Sequence, residues 1–388
     1  MLVFVLLLQV EHRPPGPEFR DAARSFGLQE FAPHASRWDE EKHFPKDELR
    51  RAAELGFAGM YVRDDVGGAG CSRADAAVVF EELASHDVST TAYLTIHNMC
   101  AWIIDTYGSE EQRQRYLPSV TNLDLFTSYC LTEPGAGSDA AALSTTARKD
   151  AAGGGYVLSG AKAFISGAGA SDLYLVMART GGAGAGGVSC FVLEKGMGGL
   201  NFGANERKMG WNSQPTAAVL LDDVKVSEAH RLGAEGEGFK IAMSALDGGR
   251  INIGTCSVGG AKFCVQAAQE YAAERSQFGK PITAFQNTQF RLADMATSVQ
   301  AARLMVRAAA EAMDRQDEGK TMACAMAKRF ATDTGYEVAN QALQMLGGYG
   351  YLKDYPIERY VRDMRVHTIL EGTNEVMRLI IAKRMLAA

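Results

Sequence analysis

The feature that most constrains the fold is a change of composition that occurs twice along the chain. Over residues 18–128, apolar residues recur at three- and four-residue spacing, as on the buried face of a helix. Over residues 129–232, glycine becomes frequent and short β-rich runs alternate with turns, which is typical of a small barrel or sandwich. From residue 236 onward the helical spacing returns.

This order predicts an α+β chain of three domains. We expect an N-terminal all-α domain over residues 17–128, a middle antiparallel β-barrel or β-sandwich domain over 129–233, and a C-terminal four-helix bundle over 234–388. Ser109, followed three residues later by Gln112, has the spelling of a capping box and predicts a helix start. The glycine-rich run at 181–187 lies between two predicted strands and opens no helix, so we interpret it as a hairpin connection, not a dinucleotide loop.

Bulk composition excludes several classes of protein. The formal net charge is −6, and no run of Lys and Arg is present to neutralise phosphates, which argues against a nucleic-acid binder. The seven cysteines are scattered and form no Cys-x-x-Cys pair. This pattern argues against a disulfide framework or a zinc site and favours a reducing compartment.

Three glycine-containing segments have residues suited to binding a ligand. In 129–139 (YCLTEPGAGSD) the glycines allow close approach of backbone N–H groups, and two hydroxyls are added, although an ordinary turn has the same spelling. In 275–281 (RSQFGKP) an Arg and a Gln two residues apart can clamp a phosphate, or form a solvated loop. In 344–351 (QMLGGYGY) the glycines indicate either a helix stop or backbone lying against a ring.

The fourth segment, 365–375 (RVHTILEGTNE), contains a candidate base. Glu371 follows Ile369 and Leu370, and a carboxylate in apolar surroundings loses hydration, which raises its pKa and improves it as a base. Thr373 or Asn374 can cap the helix that follows. Because many Glu residues near helix starts only interact with the helix dipole, the local sequence leaves both interpretations open.

Taken together and in this order, LTEPGAGSD, RSQFG, GGYGY and LEGTNE make residues 19–386 resemble the acyl-CoA dehydrogenase family. The resemblance is closest to the isobutyryl-CoA branch, through the segments STTAY at 89–93, HNMCAW at 97–102, GWNSQPT at 210–216 and GGRINI at 248–253. It implies FAD-dependent conversion of a short branched acyl-CoA, isobutyryl-CoA to methacrylyl-CoA in valine catabolism. It also implies a homotetramer that passes electrons to electron-transfer flavoprotein.

The resemblance further implies which residues form the site, with Glu371 as the catalytic base. The residues implied to contact FAD are Tyr129, Cys130, Leu131, Thr132, Glu133, Pro134, Gly135, Ala136, Gly137, Ser138, Phe164, Ile165, Ser166, Arg275, Gln277, Phe278, Phe285, Gln286, Gln344, Met345, Leu346, Gly347, Gly348, Thr373, Asn374 and Glu375. Those implied to contact the acyl-CoA are Ser138, Asp247, Gly248, Gly249, Arg250 and Lys383. No metal is implied.

Comparison with the family pattern shows one decisive position and three departures. Some relatives, including isovaleryl-CoA dehydrogenases, place the base directly before the Arg that corresponds to Arg250, where this chain has Gly249. The base is therefore expected from Glu371. Leu346 stands where close relatives usually carry His, Lys383 where they carry Arg, and Asp247 where they carry Asn. We expect weaker or rearranged contacts to CoA, and Asp247 adds a negative charge near an anionic ligand.

Other functions and the cellular location stay open at this stage. A short-chain or 2-methylbutyryl-CoA dehydrogenase is the nearest alternative; an acyl-CoA oxidase, usually longer at its C-terminus, and a catalytically dead assembly partner are more distant. The run MLVFVLLLQV at 1–10 is too short to span a bilayer and carries no basic residue, so we interpret it as an unrepresentative N-terminus or a targeting remnant. The resemblance implies the mitochondrial matrix in a eukaryote and the cytoplasm otherwise, without integral membrane association.

Overall fold

The computed structural model describes residues 17–151 and 153–386, so the apolar run at 1–10 lies outside the described residues. The described chain opens with helices: α1 Pro17–Phe26, α2 Ala35–Glu41, α3 Lys46–Glu54, α4 Arg73–Ala84, α5 Val88–Tyr107 and α6 Glu110–Thr121. The predicted capping box is confirmed at α6, where the Ser109 side chain accepts from the Gln112 backbone and the Gln112 side chain accepts from the Ser109 backbone. Nearly all of α5 is buried, so it forms the centre of the helical region.

An eight-stranded sheet follows, in which the strands are β1 Thr127–Cys130, β2 Thr146–Asp150, β3 Gly155–Ser166, β4 Leu173–Arg179, β5 Val188–Glu194, β6 Leu200–Phe202, β7 Thr216–Ser227 and β8 Arg231–Leu232. The hydrogen-bonded order is β6-β7-β3-β2-β4-β5-β8, with β1 beside β4. In the described residues this path is open, so no closed barrel is formed. The antiparallel prediction was wrong in part, because β1 and β2 each pair with β4 in parallel. The long connections into β4 permit this, whereas a tight hairpin would not.

Long helices return after the sheet: α7 Gly238–Glu274, α8 Gln286–Asp314, α9 Lys320–Met345, α10 Ile357–Arg365 and α11 Asn374–Leu386. A two-stranded hairpin of β9 Ser276–Gln277 and β10 Lys280–Pro281 joins α7 to α8. Helices α7, α8 and α9 pack against one another and α11 packs along α9, as the bundle prediction requires. The apolar seam of α8 is buried from Met295 to Met313, and Leu292 at its start is only partly buried.

Helix α7 connects the three regions and thereby positions the site. It packs on α4 and α5, on strand β5, and on α8 and α9, so its 37 residues contribute to three separate apolar clusters. All seven cysteines are free, and six of them are buried. No helix in the described part of the chain has the length and apolar character needed to cross a membrane.

Candidate active site

Glu371 lies in a strained turn that leads into α11. Its φ is 56° and that of Gly372 is 84°, so two consecutive residues adopt the left-handed conformation. For a residue other than glycine this conformation costs about 1–3 kcal/mol and is found where the surroundings hold it in place. Thr373 ends the turn, because its Oγ1 accepts a hydrogen bond from the Val376 N–H at 3.3 Å.

The carboxyl group of Glu371 is desolvated. Its Oε2 is buried and has no hydrogen-bond partner within the described residues. Burial raises the pKa of Glu371 to about 7, against the opposing influence of the positive charges on Arg250 and Lys328. A carboxylate whose pKa lies near neutral pH is matched to proton abstraction under physiological conditions.

Two adjacent glycines of α7 make room for this carboxyl group and for a buried arginine. A Cβ on Gly249 would lie 2.3 Å from Glu371 Oε2 and 2.7 Å from its Cδ. A Cβ on Gly248 would lie 2.4 Å from Arg73 Nη1, and the Arg73 guanidinium packs over the Tyr61 ring at 4.4 Å. Contacts below 3 Å exclude any side chain at either glycine without displacing its neighbour.

The raised pKa of Glu371 predicts a stability cost that depends on pH. The unfolded chain loses this proton near its ordinary pKa of 4.5, whereas the folded protein retains it up to about 7. The folded state therefore binds more protons in this interval, and stability falls as pH rises through it. We expect Glu371→Gln to raise the free energy of unfolding at pH 8 by on the order of 3 kcal/mol, and the thermal unfolding temperature with it. At pH 4.5 the wild type and the variant should unfold at nearly the same temperature. An equal rise in unfolding temperature at both pH values would contradict the raised pKa of Glu371.

The candidate acyl-CoA residues on α7 form their own ion pair. Asp247 Oδ1 lies 2.5 Å from Arg250 Nη1, and Asp247 Oδ2 accepts from Thr321 Oγ1 at 2.7 Å. Arg250 Nε also donates to the Glu371 carbonyl at 3.3 Å. The charge of Asp247 is thus paired with Arg250 inside the protein, which reduces the repulsion expected toward an anionic ligand. Lys383, also expected at the CoA, is exposed on α11.

The first glycine segment lies beside the exposed ring of Phe164. The Ala163 N–H donates to the Thr132 carbonyl at 2.9 Å, which ties this segment to a bulge in β3. Phe164 has a φ of 58° and is 68% exposed, so its ring is presented outward. A Cβ on Gly135 or Gly137 would meet no atom within 4 Å, which leaves the backbone open to a ligand. By contrast the side chains of five expected contacts point inward: Cys130, Leu131, Glu133, Ala136 and Ile165.

Glu133 has a structural partner. Its Oε1 lies 2.7 Å from Lys162 Nζ, and its carboxylate also accepts from the backbone N–H groups of Ser144 and Thr145. Burial alone would raise the pKa of Glu133, but the bonds from Lys162 and Thr145 lower it to about 2. This buried carboxylate therefore fixes the loop through its contacts with Lys162, Ser144 and Thr145.

The second and third segments meet each other at the far end of α7. The Arg275 guanidinium lies 5.6 Å from the Tyr349 ring centroid, and Phe278 is 95% exposed. Arg275, the first residue after α7, follows Gly249 by 26 positions, a separation of about 39 Å at 1.5 Å per residue. Leu346 is 4% exposed and packs in the bundle core, so its side chain is not presented to a ligand. The second and third glycine segments therefore lie far from Glu371 within this chain, although the family resemblance groups all of them in one site.

Lys328, a buried residue that the sequence analysis did not single out, contacts the turn that holds Glu371. It is fully buried on α9, and its Nζ donates to the Gly372 carbonyl and to Asn374 Oδ1, both at 2.8 Å. The expected ligand residue Asn374 is 3% exposed and turned toward α9, whereas Glu375 is exposed. The sequence did contain a signal for this residue, because Lys328 interrupts a largely apolar stretch between Cys324 and Ala331. A lysine on the buried face of a helix almost always has a partner.

Comparisons with known proteins agree with this arrangement. The family models described as acyl-CoA dehydrogenase N-terminal, middle and C-terminal domain match residues 17–124, 128–224 and 236–386. The chain belongs to the acyl-CoA dehydrogenase family. Two mitochondrial isobutyryl-CoA dehydrogenases, from Dictyostelium discoideum and Bos taurus, are 54% and 55% identical to it over 369 residues, 95% of this chain and 88% of theirs.

Among solved structures, butyryl-CoA dehydrogenase from Megasphaera elsdenii superposes with a TM-score of 0.94 at 36% identity. The match covers 97% of this chain and all of the other. The acyl-CoA dehydrogenase fold, with helical regions on either side of a sheet, is thereby confirmed.

Proposed function

We propose that this acyl-CoA dehydrogenase uses FAD to oxidise the Cα–Cβ bond of isobutyryl-CoA to give methacrylyl-CoA, with Glu371 as the base. The observation that carries the proposal is the desolvated Glu371 carboxyl seated against Gly249. Glu371 has a pKa near neutral pH, and Gly249, the α7 residue that faces its carboxyl group, has no side chain to compete for the same space. Such a base suits abstraction of a weakly acidic α-proton.

The residues of this chain supply two parts of the chemistry. Glu371 Oε2 accepts the α-proton, and Arg250 and Lys328 favour the ionised carboxylate that is ready to accept it. The Glu371 backbone N–H has no acceptor within the described residues and is available to a thioester oxygen. One such donor to developing enolate charge contributes roughly 3–4 kcal/mol. Bound FAD supplies the acceptor for the β-hydride.

The residues around Thr132 fit a flavin. An outward-facing aromatic ring at Phe164, a nearby hydroxyl and open glycine backbone at Gly135 and Gly137 suit a flat polar ring system. The residues we propose for FAD are Tyr129 to Ser138, Phe164 to Ser166, Arg275, Gln277, Phe278, Phe285, Gln286, Gln344 to Gly348 and Thr373 to Glu375. Those whose side chains are buried, such as Leu346 and Asn374, would contribute backbone atoms.

The position of Arg275 supports an assembly of several copies. Because it lies about 39 Å along α7 from Gly249, it does not reach a flavin bound beside Glu371 of its own chain. We propose that Arg275, Phe285, Gln286 and Gln344 to Gly348 meet the FAD of a neighbouring copy in a homotetramer. Electron-transfer flavoprotein is the proposed acceptor, by family resemblance.

The branched substrate is supported by the two isobutyryl-CoA dehydrogenases at 54% and 55% identity. Both carry the word mitochondrial in their names, and we propose the mitochondrial matrix if the source is a eukaryote. Ser138, Asp247 to Arg250 and Lys383 are the proposed acyl-CoA contacts.

Steady-state kcat/KM across four thioesters tests the substrate. We expect isobutyryl-CoA to exceed 2-methylbutyryl- and isovaleryl-CoA by about tenfold or more, since each carries one more methylene and one methylene in an apolar pocket is worth about 1–3 kcal/mol. We also expect it to exceed butyryl-CoA, its straight-chain isomer. A maximum at butyryl- or 2-methylbutyryl-CoA would instead assign the enzyme to that substrate. Anaerobic bleaching of the flavin band followed by slow reoxidation in air supports a dehydrogenase; fast reoxidation by O₂ would indicate an oxidase. A colourless protein that takes up no FAD would refute the proposal that this protein is a flavoenzyme.

A further inference from the structure

The turn that holds Glu371 is tied at both of its carbonyl groups by buried cations. Arg250, from α7, donates to the Glu371 carbonyl at 3.3 Å. Lys328, from α9, donates to the Gly372 carbonyl at 2.8 Å and to Asn374 at the start of α11. Because residues 371 and 372 both have positive φ, the turn does not hold itself and relies on these contacts.

Lys328 differs from the other fully buried lysine of the described residues. Lys162 has the Glu133 carboxylate 2.7 Å away, which compensates its burial. Within the described residues, no carboxylate oxygen lies within 4.0 Å of Lys328 Nζ, and its two hydrogen-bond acceptors are amide oxygens. Burial lowers the pKa of Lys328 to about 8, while the charge of Glu371 acts in the opposite direction. A buried ammonium without an ion pair is expected where its charge serves a functional group.

We propose that Lys328 is a positioning residue for Glu371, which fixes the turn through the Gly372 carbonyl and favours the ionised form of the Glu371 carboxylate through its charge. The proposal rests on the proposed function, because it assigns Glu371 as the base. Lys328 itself touches neither substrate nor flavin in this scheme. It acts through Glu371, and removal of its charge disfavours the ionised carboxylate.

Other ionisable groups lie around Glu371 and Lys328, on the elements that pack against them. On α7, Arg250 faces Glu371 and is itself paired with Asp247. Glu371 also faces Tyr129 of β1 and Cys100 of α5, whose pKa values burial raises. The remaining groups that face Lys328 are Asp333 on α9, Glu375 on α11 and His367 after α10. Substitution of Lys328 leaves all of these in place, so a change in the titration of Glu371 reports the lost ammonium.

The test uses Lys328→Met, which removes charge and donor, and Lys328→Gln, which removes the charge but keeps a donor. Glu371 must be ionised to act, so log kcat/KM rises with pH through its pKa. We expect this acid limb to move upward by about one pH unit in both variants, because an opposite charge nearby lowers a carboxyl pKa by about that much. At the high-pH plateau, kcat should fall about tenfold in Lys328→Met and less in Lys328→Gln.

Thr332→Val is the matched control, because Thr332 binds Asn374 from the same helix without a charge. It loosens the same anchor, and its acid limb should stay where it is. The proposal would be overturned if the acid limb of both Lys328 variants stayed at its wild-type pH, or if Thr332→Val shifted it equally. If Lys328→Met fails to fold, Lys328→Gln decides.

A second readout separates this proposal from the proposed function. The infrared band of the protonated Glu371 carboxyl, assigned by its loss in Glu371→Gln, is titrated in substrate-free holoenzyme. Its midpoint should rise by about one pH unit in both Lys328 variants whether or not isobutyryl-CoA is oxidised. An unmoved midpoint refutes the role of Lys328, whereas a shifted midpoint in a protein inactive on all four thioesters refutes only the function.

Discussion

Replacing Glu371 with glutamine is expected to lower kcat/KM for isobutyryl-CoA by at least about 10²- to 10⁴-fold, the range that a positioned base contributes. The amide has nearly the same shape as the carboxyl group but cannot accept the α-proton. Because the carboxyl lies against Gly249 and not on the Thr132 loop, the variant should keep its flavin. Single-turnover bleaching of the flavin band measures the loss directly.

Glu337→Gln is the matched control for this substitution. Glu337 lies on the exposed face of α9, and among the described residues its carboxylate accepts only from Gln341 one turn later. This variant should retain wild-type kcat/KM. Near-normal turnover in a flavin-loaded Glu371→Gln protein would remove Glu371 from the role of base.

Gly249→Ala is expected to be almost as damaging, although it adds only one methyl group. That methyl would lie 2.3 Å from Glu371 Oε2, so either the carboxyl group or α7 must move by more than half an ångström. Misplacement of a reacting group by about 1 Å costs on the order of 10²-fold in rate. We expect this loss in kcat, with flavin content and far-ultraviolet circular dichroism unchanged.

Gly254→Ala, on the same helix, controls for the general effect of filling a helical glycine. A Cβ there would lie 3.2 Å from a methyl of Val306, a contact that a small rotation relieves. Activity should remain close to that of the wild type, and the helix should gain slightly in stability, because alanine favours helix over glycine. If Gly249→Ala is as active as Gly254→Ala, the Glu371 carboxyl does not work from the position against α7.

Sequence reasoning predicted the arrangement of the chain better than its contacts. The helical, β-rich and helical regions follow from periodicity, since each element reports its own buried face. The parallel pairing of β4 with β1 and β2 was missed, because strand pairing over long connections leaves no local pattern. Glu371 itself stood out only through the family resemblance, since its neighbours also suit a helix start.

The contacts of single side chains were the least predictable. Asp247 looked unfavourable for an anionic ligand because its pairing with Arg250 and Thr321 is a property of the folded chain. Leu346 and Asn374 were expected at the cofactor, yet their side chains turn toward the bundle. Lys328 was overlooked because its acceptors lie 44 and 46 positions away in sequence.

The space beside Gly249 also decides where else in this chain a base could stand. A glutamate placed directly before Arg250, where the family resemblance implies that some relatives carry their base, would have to enter the volume that the Glu371 carboxyl occupies here. Two carboxylates cannot share that volume, so a base at position 249 requires that Glu371 be replaced or displaced. In this chain the two base positions therefore exclude each other, and moving the base takes two coupled substitutions.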